Sequence, residues 1–219
     1  LPRAALYYED FENNSQMPSG WTQEYVTNAV PWTINRGGKY SHPSSAVSGY
    51  YNAFLWSAAW TQGDSFDQKT KLISPQINLG QVPADPRLTF WHCMEKWEGT
   101  GQDELRVFCR TSPTGNWILL ATYTSNVPNW VQQTLPLPLS NSYRLAFEGN
   151  AKFGYGVCID DVQISDGSEA PIITTCSPLP KGVLDVAYSQ ALTAVGGEGA
   201  YVWSVVSNSL PAGLTLRSS

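Results

Sequence analysis

The sequence is poor in charged residues and in histidine. Of its 219 residues only 14% are charged, two are histidine, and 18 acidic residues outnumber 13 basic ones to give a net charge of −5. Such a chain has no excess of basic residues to neutralise phosphates, so nucleic acid is not an expected partner. It also lacks any apolar run near the roughly 18 residues that a membrane span requires, so membrane insertion is not expected.

The sequence also lacks the amphipathic period of a helix, whereas turn formers and aromatic residues are abundant. Glycine and proline number 18 and 15, and there are 9 Trp, 11 Tyr and 7 Phe. About ten short β-rich runs lie between turn signals. These runs predict an all-β, antiparallel two-sheet sandwich. They are ALYYEDF, WTQEYV, YNAFLWS, KLISPQINL, RLTFWHC, ELRVFCR, NWILLATY, WVQQTLPL, YRLAFEG and GVCIDDVQI.

The chain changes texture near SDGSEAP at 165–171, where apolar residues disappear. This stretch indicates a boundary between a first domain at 1–166 and a second at 167–219. The second reads as a few short strands in about 50 residues, which is too few for a complete two-sheet domain. Because the chain starts at Leu1 without an initiator Met or leader, we expect a processed protein or a piece of a longer one.

Two adjacent carboxylates, Asp160 and Asp161, interrupt the apolar run GVCIDDVQI. Strict alternation along a strand places Asp160 on the face of Val162 and Ile164, and Asp161 on the opposite face. One carboxylate is then expected among apolar neighbours, where it needs a cation or several hydrogen-bond donors. On the same argument the two cannot flank one substrate, which disfavours a glycosidase.

A second acidic cluster lies near the start of the chain, and we expect the two clusters to meet at a structural calcium ion, because the available ligands are oxygens. The alternative is that these carboxylates accept hydrogen bonds from loop amides or pair with Arg3 or Lys152. The candidate ligands are Glu12 and Asp160, followed by Glu9, Asp10 and Asp161.

The four cysteines are consistent with disulfides in an oxidising compartment. Cys93 and Cys109 flank a turn-like stretch at 99–101, so they can face each other in a hairpin, which leaves Cys158 to pair with Cys176. The alternative is four buried thiols.

Catalysis has little support in the sequence. His42 lies in a Ser/Pro loop and His92 in an aromatic strand, and neither accompanies a nucleophile motif. We therefore predict no catalytic residue. Aromatic rings near strand ends can instead stack on sugars, and the candidate ligand-binding residues are Trp56, Trp60 and Trp97.

The ordered succession of motifs over residues 5–165 resembles the MAM domain and its bacterial relatives, the cleaved-adhesin or "choice-of-anchor J" modules. Ser19 stands where eukaryotic MAM domains carry a cysteine, which favours the bacterial branch. The motifs are FENNSQMPSGWTQ (11–23), PWTINRGG (31–38), KLISPQINL (71–79), RLTFWHC (87–93), ELRVF (104–108), GNW (115–117), NSYRLAFEGNA (141–151) and GYGVCIDDVQI (154–164).

The remaining segment resembles the Ig-like repeats of bacterial surface proteins, through AYSQALTAVGG (187–197), YVWSV (201–205) and SLPAGLTL (209–216). Together the two resemblances imply a jelly roll followed by a partial Ig-like sandwich, secreted or on the cell surface, with structural calcium. They also imply a non-catalytic adhesion or accessory module within a larger polypeptide, binding a glycan or a cell-surface protein. A carbohydrate-binding module attached to a secreted hydrolase is the alternative.

Overall fold

The computed structural model describes residues 5–58, 67–98, 101–167, 172–175, 177–195, 202–205 and 210–216. The chain divides into two compact units, Leu1–Gly167 and Ser168–Ser219. All regular structure in the described residues is β-strand. Within those same ranges no helix has the length and hydropathy of a membrane span.

Unit 1 contains twelve strands in its described part. They are β1 (Ala5–Glu9), β2 (Thr22–Thr27), β3 (Trp32–Asn35), β4 (Asn52–Leu55), β5 (Lys69–Ile73), β6 (Ile77–Asn78), β7 (Pro86–Met94), β8 (Glu104–Arg110), β9 (Ile118–Tyr123), β10 (Val127–Pro136), β11 (Ser142–Asn150) and β12 (Val157–Asp166).

These strands form two antiparallel sheets. Sheet 1 has the order β10-β7-β12-β4-β3, with β1 also paired to β12. Sheet 2 has the order β2-β5-β11-β8-β9, with β6 beside β11. One large apolar cluster contains inward side chains of both sheets, so the predicted all-β sandwich is confirmed.

Strand β7 shows how the core is assigned, which its sequence left undecided because both faces carry large groups. Leu88, Phe90 and His92 are buried on the inner face. Phe90 contacts Phe147 of sheet 2 in a T-shaped arrangement, with ring centroids 5.2 Å apart and ring planes at 73°. Contacts of this kind add about 0.5–1.5 kcal/mol beyond the burial of area.

A β-bulge at Asp161 changes the expected alternation in β12. Asp161 has a positive φ of 47°, and the register of β12 against β7 shifts between Asp160 and Gln163. As a result Ile159 and Val162 both join the core. The prediction that Asp160 shares a face with Val162 is therefore wrong: Asp160 follows Cys158 on the outer face of sheet 1, because the bulge inserts one extra residue.

The predicted hairpin between Cys93 and Cys109 is also wrong. Cys93 lies in β7 of sheet 1, whereas Cys109 lies in β8 of sheet 2, and the two strands do not pair. Cys93, Cys109 and Cys158 are buried free thiols. Cys176 lies outside the described residues, so its predicted pairing with Cys158 stays a prediction.

Unit 2 has little regular structure in its described part. Strands β13 (Ile172–Ile173) and β14 (Ala194–Val195) form one antiparallel pair. The remaining described residues are turns and irregular segments. The Ig-like character of this unit stays a prediction.

Candidate functional site

One end of the central strands of sheet 1 carries a cluster of mostly aromatic side chains, here called the aromatic surface. The cluster forms where β4 and β7 end and β12 begins, because antiparallel pairing brings these strand ends together. Its members come from three segments and from the residue after β4. They are Lys39, Tyr40, His42, Trp56, Trp97, Phe153 and Tyr155.

Trp97 is the centre of the aromatic surface. Its ring lies 4.6 Å from that of Tyr155 and 5.8 Å from those of Tyr40 and Phe153, measured between centroids. Tyr40 is 64% exposed and Phe153 is 39% exposed. Large rings on a surface usually turn inward, so two exposed rings beside a half-buried Trp offer apolar area to a ligand.

Polar groups border these rings. Lys39 Nζ lies 4.0 Å from the Trp56 ring centroid and 4.5 Å from that of Tyr40, within cation–π range. His42 stacks on Tyr155 with ring centroids 4.0 Å apart, and its Nδ1 lies 2.7 Å from Glu95 Oε2. The surface therefore combines aromatic rings suited to stacking with a basic side chain, Lys39, and an acidic one, Glu95.

Asp103 fixes the loop that carries Phe153 and Tyr155. Its carboxylate accepts hydrogen bonds from the backbone amides of three loop residues: Lys152 at 2.6 Å, Gly154 at 2.9 Å and Gly156 at 2.8 Å. Burial raises the pKa of Asp103, although the amides act in the opposite direction. The loop is thus held by a buried carboxylate rather than by strand pairing.

The backbone joins the other segments to this loop. Tyr155 N–H donates to Glu95 O at 3.1 Å, and Lys39 N–H donates to Tyr155 O at 3.2 Å. The Trp56 indole N–H donates to Gly154 O at 3.1 Å. The three segments therefore form one connected surface.

The structure brings two of the three predicted ligand-binding residues, Trp56 and Trp97, to this one surface. Trp60 lies outside the described residues. Sequence reasoning missed Tyr40, Phe153 and Tyr155. The signal available for the last two was the alternation of aromatic residues with glycine in FGYG at 153–156, in a segment that lacks the pattern of a strand.

Most of the predicted metal ligands belong to a second feature, here called the acidic loop site. It consists of the loop at 46–51 and four acidic residues: Asp10, Glu12, Asp160 and Asp161. Asp160 Oδ2 accepts from Val47 N–H at 3.0 Å, and Asp161 Oδ1 accepts from Ser48 Oγ at 2.8 Å. Glu12 Oε1 accepts from the amides of Tyr50 and Tyr51 at 2.7 and 2.6 Å. The two acidic clusters therefore share one loop, and β1 pairs with β12 beside it.

This geometry corrects the argument that Asp160 and Asp161 point to opposite faces, because both carboxylates bond the same loop. Asp160 is completely buried, and burial raises its pKa to about 7, with the neighbouring charge of Asp161 adding to the effect. A fully buried carboxylate is not available to a sugar in solvent, so glycosidase chemistry remains unsupported.

The other predicted ligands have local partners. Glu9 uses Oε1 for Phe11 N–H at 2.9 Å and Oε2 for the Trp21 indole at 3.0 Å. Asp10 Oδ1 accepts from Glu12 N–H at 3.1 Å. Lys152 pairs with Glu104 at 2.7 Å rather than with this site. Among the described residues, no group of three or more His, Cys, Asp or Glu side chains is placed to hold a metal ion.

The two histidines occupy different environments. His92 is buried beside Tyr123, with ring centroids 4.6 Å apart, and neither ring nitrogen has a hydrogen-bond partner. Burial lowers the pKa of His92 to about 4. His42 is paired with Glu95 at the aromatic surface. Neither arrangement contains a serine or cysteine nucleophile bonded to a histidine base.

Comparison with solved structures matches the K1 cleaved adhesin domain of Lys-gingipain from Porphyromonas gingivalis W83, with 18% identity and a TM-score of 0.55 over 74% of this chain and 98% of that one. The K3 cleaved adhesin domain of the same protein matches with 21% identity and a TM-score of 0.54, over 75% and 100%. The sandwich has the cleaved-adhesin fold. The resemblance seen in the sequence is thus confirmed at the level of the fold.

TmCBM61, solved in complex with beta-1,4-galactotriose, matches this chain less well. It has 15% identity and a TM-score of 0.48, over 72% of this chain and 99% of that one. No protein-family model matches the chain, and no curated protein matches it.

Proposed function

We propose that unit 1 is a non-catalytic binding module and that its ligand is a glycan held on the aromatic surface. The observation that carries the proposal is the exposure of Tyr40 and Phe153 on either side of Trp97. Sugar rings present apolar C–H faces, which pack on aromatic planes, and a few polar groups then fix their orientation. Lys39, His42 and Glu95 are suited to that second task.

The module is proposed to act outside the cell, secreted or on the surface, as one part of a larger bacterial polypeptide. Adhesion to a host or neighbouring cell and attachment of a hydrolase to a polysaccharide both need a rigid binding platform. The loop held by Asp103 meets that need, because a preorganised surface loses less conformational entropy when it binds. A cell-surface protein is the competing ligand.

The test is a glycan array followed by titration of the best ligand against the full chain. Trp97→Ala and Tyr40→Ala are expected to weaken binding at least tenfold, whereas Tyr50→Ala, which removes a ring that is 69% exposed elsewhere, is the matched control. Absence of glycan binding, or equal loss in the control, contradicts the proposal. Binding to a deglycosylated surface protein with the same variant pattern assigns the surface to the competing ligand.

We further propose that the acidic loop site binds one structural calcium ion. Glu12 and Asp160 would supply carboxylate oxygens, with Asp161 and Asp10 beside them, and backbone carbonyls of residues 46–51 would complete the shell. Calcium accepts such mixed oxygen ligands. Glu9 is left out of the proposed set because its two oxygens bond Phe11 N–H and the Trp21 indole N–H rather than the loop at 46–51.

Two observations support the calcium proposal. Within the described residues, the ion pairs found leave Glu12, Asp160 and Asp161 without a cationic side chain within 4 Å. In addition, Glu12 accepts both hydrogen bonds from the loop amides on one carboxylate oxygen, Oε1. Asp160 is buried and accepts hydrogen bonds from the backbone amides of Val47 and Asp161, so a bound cation would further stabilise its charged form.

A further inference from the structure

The outer face of sheet 1 carries a small apolar cluster that is separate from the core, here called the outer cluster. Phe54, Cys93 and Cys158 form it, and Trp56 and Trp130 pack against them. Both cysteines are completely buried. Two buried thiols on a solvent-facing sheet surface, covered by tryptophans, need an explanation beyond core packing.

Cys93 and Cys158 are direct cross-strand partners in the antiparallel pairing of β7 with β12. Opposite residues in such a ladder have Cα atoms about 4.5–5.5 Å apart. A disulfide requires a Cα separation of about 4.4–6.8 Å, so the register itself satisfies the requirement. Because opposite side chains point to the same face, the two sulfurs lie on one side of the sheet.

We propose that Cys93 and Cys158 form a disulfide across the outer face of sheet 1. A small disulfide, or the disulfide of a thiol oxidoreductase, serves as the oxidant. One cysteine thiolate attacks it to give a mixed disulfide and one released thiol, and the second thiolate then displaces the remaining thiol. The protein loses two electrons and two thiol protons, and the oxidant becomes two thiols.

Burial determines when this crosslink forms. Exchange requires a thiolate, and burial raises the pKa of the Cys93 thiol to about 12 and that of Cys158 well above its usual value. The step therefore belongs to folding, before Trp56 and Trp130 cover the pair. Once made, the bond resists reductant until the domain unfolds.

The crosslink lies next to the aromatic surface, because Trp56 of that surface packs against the cluster that contains Cys93 and Cys158. Cys93 lies near the end of β7, two residues before Glu95. Cys158 lies at the start of β12, three residues after Tyr155. Before oxidation the Cys93 thiol donates to Val127 O at 3.3 Å, which places β10 beside the same pair. A covalent bond here fixes the two strands from which Trp97 and Tyr155 extend.

The test is a map of the disulfides in the full chain. The reduced, unfolded chain is refolded with oxidised and reduced glutathione, remaining thiols are alkylated, and the product is digested without reduction. Cleavage after Lys and Arg alone leaves Cys158 and Cys176 in one peptide, so cleavage before Asp is added. The expected result is LTFWHCMEK (88–96) joined to FGYGVCI (153–159), with Cys109 and Cys176 alkylated.

A bond from Cys158 to Cys176, a bond from Cys93 to Cys109, or alkylation of both Cys93 and Cys158 overturns the proposal. Thermal unfolding gives a second measurement. Oxidation is expected to raise Tm by about 10 °C in the wild type and in the matched control Cys109→Ser. The difference between oxidised and reduced samples should vanish in Cys93→Ser, whatever that variant's own stability.

Discussion

The Tyr8 hydroxyl donates a 2.5 Å hydrogen bond to Asp161 Oδ1, across 153 residues of sequence. The bond ties β1 to the bulge of β12, at the point where the two ends of unit 1 meet. It is possible because the bulge directs Asp161 toward β1 and the loop at 46–51, instead of into the sheet interior.

Removing this hydroxyl tests the contribution of the link. Tyr8→Phe is expected to lower the free energy of unfolding by about 1–2 kcal/mol, since a bond to a charged acceptor is lost at a partly exposed site. Urea unfolding measures the change. Tyr25→Phe, a tyrosine of similar exposure in sheet 2, should stay within about 0.5 kcal/mol of wild type. Equal effects of the two variants would show that the link is not stabilising.

Calcium is expected to raise the melting temperature of the chelator-treated protein. At a free calcium concentration about 100-fold above Kd, the gain is about 2.7 kcal/mol. Asp160→Asn should abolish the gain, because a neutral amide binds calcium weakly, whereas Glu24→Gln in the exposed part of β2 should retain it. Scanning calorimetry with and without chelator makes the measurement, and an unchanged melting temperature in the wild type counts against the metal.

Gly49 is expected to tolerate no side chain. Its φ is +57°, and a Cβ there would lie 2.5 Å from the Glu12 carboxylate. Gly49→Ala should therefore cost at least about 2 kcal/mol, from backbone strain and displacement of Glu12. Gly80 is the matched control, since its φ is +77° with no atom within 4 Å of the added Cβ. If Gly80→Ala costs as much in chemical denaturation, the Glu12 contact contributes nothing.

The buried His92 predicts a loss of stability in acid. The pKa of His92 is about 4 in the folded chain, against an ordinary histidine value of 6.5 that applies to the unfolded chain. Between pH 4 and pH 6.5 the unfolded state therefore binds more protons than the folded state. Stability therefore falls as the pH drops below 6.5, by about 2–3 kcal/mol between pH 7 and pH 4.5.

The measurement compares unfolding free energies of wild type and His92→Phe across this pH range. Other groups titrate in both proteins, so the difference in their pH dependence isolates His92. The variant should be less sensitive to acid, whatever its stability at pH 7. Parallel curves would show that His92 is protonated without cost in the folded state.

Asp103→Ala is expected to damage the aromatic surface from beneath. Three backbone amides of the loop at 152–156 lose their acceptor, which should cost about 3 kcal/mol in unfolding free energy. Glycan affinity should fall as well, because Phe153 and Tyr155 lose their fixed positions. Asp103→Asn keeps one acceptor oxygen, so its unfolding free energy and its glycan affinity should lie between those of the wild type and Asp103→Ala. Unchanged affinity in Asp103→Ala would remove the loop from the proposed site.

Predictions from local sequence succeeded where the information was local. All ten predicted runs contain strands, with KLISPQINL divided into β5 and β6 around Pro75. The strand β3 was missed, because its four residues in PWTIN are bounded by a proline and a polar turn and give too short an alternation to recognise. Trp32 is nevertheless fully inside, with its indole N–H bonded to Thr70 O of sheet 2 at 2.8 Å.

Site residues were harder to predict because a site is assembled from segments far apart in the chain. Two acidic clusters in an otherwise weakly charged chain led us to expect Glu12 and Asp160 near one another, and in the structure both carboxylates accept hydrogen bonds from the loop at 46–51. Those hydrogen bonds gave no signal in the sequence, because they use backbone amides, which every residue except proline carries.

By itself, the sequence determined the β-rich class, the positions of most strands and the two acidic clusters, because alternation, turn residues and charge are properties of neighbouring residues. Only the tertiary structure decided which face of β7 is inside, that Asp161 is a bulge, that Cys93 faces Cys158 rather than Cys109, and that Tyr40 and Phe153 flank Trp97. Each of these depends on the register between strands distant in sequence, and one residue of slip in that register reverses every side chain.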